Sequence, residues 1–373
     1  NLGAFSYDGE LSGSIESFAA RGKASLGDTR LDGSFSGSLS GQRPAVKGKI
    51  SSPLVRLADL GMVPDGRSLE EALAAEEQQP ATSDDKWVFD EAPIPFETLQ
   101  LIDLDLDLDL QRVQGVDMQI DQIEGRIELL GGQLRIDPLS FEFVGGQADA
   151  TLHADAREDQ PQVQLKLSAN NVDLAKLLSQ TRVQVPLDGT LDVILDLKGK
   201  GGSPRALASS LNGNTQLALA DGHVLTGLLT LTTVNPVSWV FTESARKGYS
   251  KLNCLILRFE AEDGLARSQV LLLDTPNMLA NGTGQIDLHS ESLAIDVVPH
   301  AKQQHLVPVS IPFSIEGRLA DPSISINKTK ASLRTSKEVL LSPLNLLGSL
   351  LPFVGDSAQD NPCLTLKNVT PPQ

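Results

Sequence analysis

Four aspartates at alternate positions, Asp103, Asp105, Asp107 and Asp109 in the stretch LIDLDLDLDL (residues 101–110), are the side chains whose type and spacing most readily suggest chemistry. Carboxylates spaced by two open a calcium-binding loop when the sixth position is glycine and the twelfth is glutamate. Counted from Asp103, those positions are Leu108 and Gln114. An extended chain would instead set the four carboxylates in a row, too spread to close around one ion. Its other face would carry Ile102, Leu104, Leu106, Leu108 and Leu110. Aspartate is a poor strand residue, on a scale spanning about 1 kcal/mol per position, whereas burying a large aliphatic side chain contributes about 1.5–3 kcal/mol. Five aliphatic burials outweigh four such penalties, so the stretch reads as a half-buried strand and not as a metal site.

The other chemical constellations fail in the same way. Among the histidines, His153, His223 and His289 are isolated, and only His300 and His305 lie close, in PHAKQQH. No HExxH and no third ligand accompany them, so they read as solvated loop residues. The run GSFSGSLSG at 33–41 places Phe35 and Leu39 where a nucleophile elbow needs serine. KGKGGSPR at 198–205 lacks the GK[ST] of a phosphate loop and reads as a turn before a helix. Nothing marks any carboxylate as a buried acid or base. Cys254 and Cys363 stand far apart in no CxxC pattern; in an oxidising compartment they could pair and pin the tail, and otherwise they are two thiols. The chain is expected not to be an enzyme and to hold no metal or cofactor.

What remains is the scaffold. Period-two alternation recurs along the chain, in GRIELLGGQLRI (125–136), LSFEFV (139–144), ADATLHAD (148–155), QVQLKLS (162–168), DGTLDVILDL (188–197) and ESLAIDVV (291–298), broken by Gly, Asn, Asp and Pro turns. Such short strands predict an antiparallel meander with one apolar and one solvated face. Helical pattern is scarce: an acidic segment at 66–78, short turns at 172–179 and 204–211, a longer stretch between Leu225 and Arg246 in which 228–234 reads equally as strand, and a proline-broken run at 337–351. Residues 44–60 align without gaps to 161–177, each copy reading as strand, turn and short helix, which implies a structure extended by repeating units.

Totals narrow the function classes. The 373 residues carry a net charge of −17, which argues against nucleic acid and against simple docking on anionic membranes. Aromatics are only 4%, so the apolar surface is aliphatic, suited to a partner that is itself aliphatic and fluid. The chain has no run of 18 or more apolar residues. It begins at Asn1 in strand-like sequence and reads as part of a longer protein, so any membrane anchor is expected upstream.

The run GRIELLGGQLRIDPLSFEFVGGQADATLHAD, followed by PQVQLKLSANNVDLAKLL, resembles the AsmA family of Gram-negative envelope proteins, as do GTGQIDLHSESLAIDVVPHAK and PFSIEGRLADPSISI. The resemblance covers roughly residues 87–326, with 33–61 matching the end of a preceding unit. It implies a mostly β fold: an elongated, twisted antiparallel sheet forming an open repeating β-groove, similar to TamB-related, bridge-like lipid transfer proteins. It also implies a periplasmic body anchored to the inner membrane through an upstream transmembrane helix, phospholipid acyl chains held in the groove, and a role in phospholipid transport and outer-membrane assembly alongside envelope protein partners. On this reading the groove lining is Ile102, Leu104, Leu106, Leu108 and Leu110, then Ile127, Leu129, Leu134 and Ile136, then Phe141, Phe143, Leu165 and Leu167, then Leu191, Val193, Leu195 and Leu197. The pattern alone fits equally a dry β-sandwich in which these residues pack on one another, the core of a non-enzymatic envelope scaffold. The expected organisation is the end of an upstream repeat at 1–61, an acidic helical linker at 62–86, a groove repeat at 87–180, a further groove at 181–326 and a capping tail at 327–373. Within it, Trp239 and Phe241 are candidates for an interfacial contact or a closing cap.

Overall fold

A computed structural model describes residues 4–41, 43–60, 87–115, 118–180, 187–225, 249–276, 278–302 and 312–326. The expected linker at 62–86, the segment with Trp239 and Phe241, Cys363, His305 and the tail at 327–373 lie outside the described residues. Seventeen strands form one sheet, and residue contacts divide the chain into two units. The first comprises Asn1–Gln184, Asp192–Thr215 and Ala261–Leu265, the second Val185–Leu191, Gln216–Glu260 and Ala266–Gln373.

In the first unit, β1 (Phe5–Gly13), β2 (Phe18–Leu26), β3 (Thr29–Ser38) and β4 (Ala45–Arg56) pair antiparallel in chain order. Next come β5 (Asp103–Gln114), β6 (Gln119–Leu130), β7 (Gln133–Phe143), β8 (Gly146–Asp155) and β9 (Gln162–Asp173), again antiparallel neighbours. The join between the two sets differs: β4 and β5 run parallel, Ala45 opposite Asp103 through Arg56 opposite Gln114. A parallel neighbour requires a long connection back to the starting end, which residues 57–102 supply. β9 pairs onward with β10 (Thr190–Lys200).

Local chemistry explains the turns. β6 and β7 are joined by Gly131 and Gly132, both at positive φ, the left-handed pair that a two-residue hairpin needs to match strand twist. At the opposite end, the Asp59 carboxylate accepts from the Asp28 and Thr29 amides and the Thr29 hydroxyl, at 3.0, 2.9 and 2.9 Å, fixing the β2–β3 turn against the end of β4. Two helices are short. α1 (Leu174–Ser179) is capped by Asp173, which accepts from the Lys176 amide. α2 (Pro204–Ser209) is capped by Ser203 with proline in its first turn; of the glycine-rich stretch before it, Lys198 to Lys200 end β10 and residues 201–203 make the bend into the helix. The two copies of the repeat diverge after their strands: the second continues into α1, whereas residues 57–60 after β4 form a turn and no helix.

Residues 87–102 return along one set of strand ends. Arg205 stacks on Trp87 at 4.2 Å and pairs with Glu91; the Ile94 amide donates to the Gly202 carbonyl at 2.8 Å. Further along, Gln100 donates to the Ala156 carbonyl at 2.6 Å and the Asp103 amide to the Pro44 carbonyl at 2.8 Å, delivering the chain to the start of β5.

In the second unit, β11 (Asn212–Leu225), which the unit boundary crosses, leads to β12 (Tyr249–Glu262), β13 (Leu265–Asp274), β14 (Met278–Asp287), β15 (Ser292–Ala301), β16 (Phe313–Arg318) and β17 (Asp321–Ile326). β14 to β17 pair antiparallel in order. Leu252, Cys254 and Ile256 on β12 and Leu272 on β13 are fully buried, a packed core that the first unit does not match. Cys254 is disulfide-bonded, not a free thiol. His300, expected in a loop, sits on β15 opposite Leu279, where desolvation lowers its pKa. The sequence places it in a loop because the neighbouring prolines and lysine mask the end of the strand.

Asp274 closes β13 with no exposed surface; Lys302 meets its carboxylate at 2.5 Å and Asn253 donates at 3.0 Å. Removing one partner of a buried pair leaves the other charge uncompensated, at about 3–5 kcal/mol. Asp274→Ala is therefore expected to cost about 3 kcal/mol and Lys302→Ala less, since the lysine side chain is 29% exposed; urea unfolding of both variants checks the order.

Acid should loosen the first unit. Arg157, then Gln133, hydrogen-bond Asp155 and hold its carboxyl well below the usual carboxylate range, and the Lys176 amide does the same for Asp173. A carboxyl depressed in the fold stabilises at neutral pH, and that contribution drains away as pH falls below the unfolded value near about 4. Melting temperature should drop between pH 5 and pH 2, and Asp155→Asn, less stable at pH 7, should show a shallower decline.

Candidate functional site

The apolar face is built one register row at a time. Gly48, Leu106, Ile127, Ile136, Leu152 and Leu165 stand directly opposite one another across β4 to β9. A second row runs Val46, Leu104, Leu129, Leu134, Ala154 and Val163, and a third Ile50, Leu108, Gly125, Leu139, Ala150 and Leu167. Directly opposed side chains lie about 4.5–5.5 Å apart at Cβ, so each aliphatic group touches its neighbours sideways. The rows continue to β1: Phe35 faces Gly48, Ala20 faces Phe35 and Leu11 faces Ala20. There the surface is shallow, because the Phe35 ring lies across two glycines. A Cβ at Gly33 or at Gly48 would meet that ring at 2.7 Å.

Most of the expected lining is brought together here. Leu104 to Leu110 alternate along β5, Ile127 and Leu129 along β6, and Leu134 and Ile136 along β7 on this face. Phe141 stands opposite Ala148 and Phe143 opposite Gly146, while Leu165 and Leu167 end two of the rows on β9. On β10, Asp192 and Asp196 reach Asn171 and Lys166 on the polar side, at 2.8 and 3.1 Å, which turns Val193, Leu195 and Leu197 to the apolar side. Leu191 is half-buried on the same strand, and Ile102 falls just before β5 begins. Val46 and Ile50 on β4, Leu139 on β7 and Val163 on β9 were not anticipated, nor was any of β8, with Ala148, Ala150, Leu152 and Ala154. Its strand pattern is plain in the sequence, but three of its four apolar members are alanines.

Burial separates the two readings of this face. Of the expected lining residues, Leu129 is fully buried at 4% exposure, and every other one is half-buried. A second sheet packed on top would seal such side chains at interior density. Half burial is what lateral neighbours alone provide. Leu252 in the second unit, at 0%, shows what a sealed position looks like.

The other face is polar and cross-braced. Arg126 bonds Asp105 and Glu128 at 2.7 and 2.9 Å and approaches Asp107 at 3.8 Å. Lys47 reaches Asp105 at 3.4 Å and Arg43 approaches Asp103 at 4.0 Å. Three of the four aspartates of the opening stretch, Asp103, Asp105 and Asp107, are therefore partners for nearby basic residues, while Asp109 stands opposite Glu124. The nearby carboxylates raise the Arg126 pKa, Asp105 foremost. No helix among the described residues is long and apolar enough to cross a membrane.

An unsealed face predicts an unusual mutational profile. Leu106→Ala should cost about 1 kcal/mol, below the roughly 2–5 kcal/mol of a core truncation, while Leu252→Ala should fall inside that range. Equal large losses in urea unfolding would mean the Leu106 face is sealed after all.

The AsmA family model matches residues 9–271. The chain is also 25% identical, over an alignment of 391 residues, to AsmA family protein YhjG of Escherichia coli (strain K12), covering 97% of this chain and 55% of that protein. The chain thus spans about half the length of this curated relative. No solved structure matches it. With the family model spanning well over half of its residues, the chain belongs to the AsmA family, whose members are associated with the bacterial envelope.

Proposed function

We propose that the first unit holds phospholipid acyl chains against its aliphatic face and that the protein takes part, without catalysis, in moving phospholipid through the periplasm toward the outer membrane. The observation that carries the reading is the set of continuous register rows from β4 to β9 whose side chains, Leu129 and Ala154 apart, stay half-buried. Each methylene removed from water contributes about 0.8 kcal/mol, enough for two acyl chains to be held without a dedicated polar contact. Leucine, isoleucine and valine set no ring geometry and accommodate chains of varied length and unsaturation. Anchoring to the inner membrane by a helix upstream of these residues and contact with envelope proteins belong to the same reading.

The envelope-scaffold reading has one observation in its favour, the sealed core around Leu252, Cys254, Ile256 and Leu272. It describes the second unit better than the first.

Native mass spectrometry of the gently purified protein, with identification of bound lipid, tests the proposal. Phospholipid should co-purify, and the triple change of Leu104, Leu106 and Leu108 to Asn should remove it while circular dichroism still reports β-structure. Lipid-free wild-type protein, or lipid retained by the triple variant, would reject acyl binding on this face.

A further inference from the structure

On the polar side of β1 to β5, opposite the proposed lipid surface, lies a depression of about 460 Å³. Its shape follows from side-chain length. On β3, Ser34 and Ser36 present short hydroxyls as a floor; Arg21 on β2 stands opposite Ser34 from one side, and Lys49 and Lys47 on β4 stand opposite Ser34 and Ser36 from the other. Strands about 4.8 Å apart leave the two walls roughly 10 Å apart at the backbone, room for one tetrahedral oxyanion between long cationic side chains.

The charge is out of place for this chain. Elsewhere on the face several cations are neutralised, Arg112 by Asp121 at 2.8 Å, Arg135 by Asp137 at 2.7 Å and Lys166 by Asp196 at 3.1 Å. Among the described residues Arg21 and Lys49 make no ion pair, and the one partner of Lys47, Asp105, is already bonded by Arg126. Asp107 at the edge of the depression is likewise approached by Arg126. Three cations and two hydroxyls thus converge on one spot in a protein of net charge −17. Charge-assisted donors around a small cleft are the chemistry that recognises phosphoryl oxygens. The acid that competes is Glu10, directly opposite Arg21.

We infer that this trough binds a phosphoryl group, with Arg21 and Lys49 engaging its oxygens from two sides, Lys47 adding a third cation, and the Ser34 and Ser36 hydroxyls donating from the floor. The group is carried by a soluble phosphate compound or by the headgroup of an anionic lipid. Because the residues lie on the face opposite the leucines, the inference stands whether or not acyl chains occupy the other side.

The test is a titration of the purified chain with inorganic phosphate, followed by amide chemical shifts of Ser34, Ser36 and Gly48, beside flotation with phosphatidylethanolamine vesicles with and without phosphatidylglycerol. Saturable shifts are expected, weakened by added salt. The double variant Arg21→Gln/Lys49→Gln should bind about tenfold less tightly, the size of two exposed charge contacts combined. Glu10→Gln should bind more tightly, and Lys166→Gln, which removes a cation already paired, should bind as wild type does. All these positions are exposed, so unchanged circular dichroism is expected and separates lost binding from lost fold. Phosphatidylglycerol-dependent flotation that the double variant loses assigns the phosphoryl group to a lipid headgroup. Phosphate binding without such flotation assigns it to a soluble compound. No saturable shift in the wild type, or equal affinity in the double variant, overturns the inference.

Discussion

The row from Leu106 through Ile127, Ile136 and Leu152 to Leu165 crosses five strands in register, and the first unit depends on keeping it so. A slip of one residue would turn every leucine into water and every aspartate onto the aliphatic side. Because these side chains are half-buried and shielded sideways, the face itself penalises such a slip less than a sealed core would. The polar face and the turns supply the rest. Arg126 ties β6 to β5, Lys47 ties β4 to β5, and Lys166 ties β9 to β10. The Gly131–Gly132 turn sets the β6–β7 register and Asp59 fixes the turn between β2 and β3. Each surface pair is worth little alone, typically under about 1 kcal/mol, but each is lost if a strand shifts, so together they discriminate between registers.

The two units handle the same alternating pattern differently. Around Leu252, Cys254 and Ile256 the second unit seals its apolar residues and also buries the Asp274 carboxylate, paired with the partly exposed Lys302. A buried carboxylate is tolerated where its charged partner is in place. The first unit has no comparable buried carboxylate among its described residues; its carboxylates stay near solvent and most of its larger aliphatic groups stay half-accessible. On the proposed reading those properties belong together: a surface that accepts and releases a fluid apolar ligand needs accessible aliphatic groups, and keeping its charges on the other face avoids desolvating them.

Chain path follows from the parallel β4–β5 pair. Only a connection that returns to the starting end of the sheet permits it. Residues 87–102 complete that return along the ends of β10, β8 and β5, held by Arg205 on Trp87 and by Gln100 on the Ala156 carbonyl. The ends of β10, β8 and β5 on that side are thereby covered by this segment.

Much was readable from residue order. The period-two alternation located the strands, the glycine pairs located the hairpins, and the Leu–Asp alternation of 101–110 assigned a wet and an apolar side, because a strand's side chains point alternately whatever surrounds them. The same logic named most of the lining, and it passed over β8 because alanines at 148, 150 and 154 carry a weak hydrophobic signal even where they complete the rows. It also extended a helix into the first repeat copy, where residues 57–60 turn instead, since a few apolar residues at helical spacing do not establish a helix against tertiary pairing. What alternation cannot encode is what lies over the apolar face: a sandwich core and an open surface require the same local pattern. That distinction, the parallel join of β4 to β5, and the meeting of Arg21, Ser34 and Lys49 in one trough are matters of long-range pairing, and only the tertiary structure decided them.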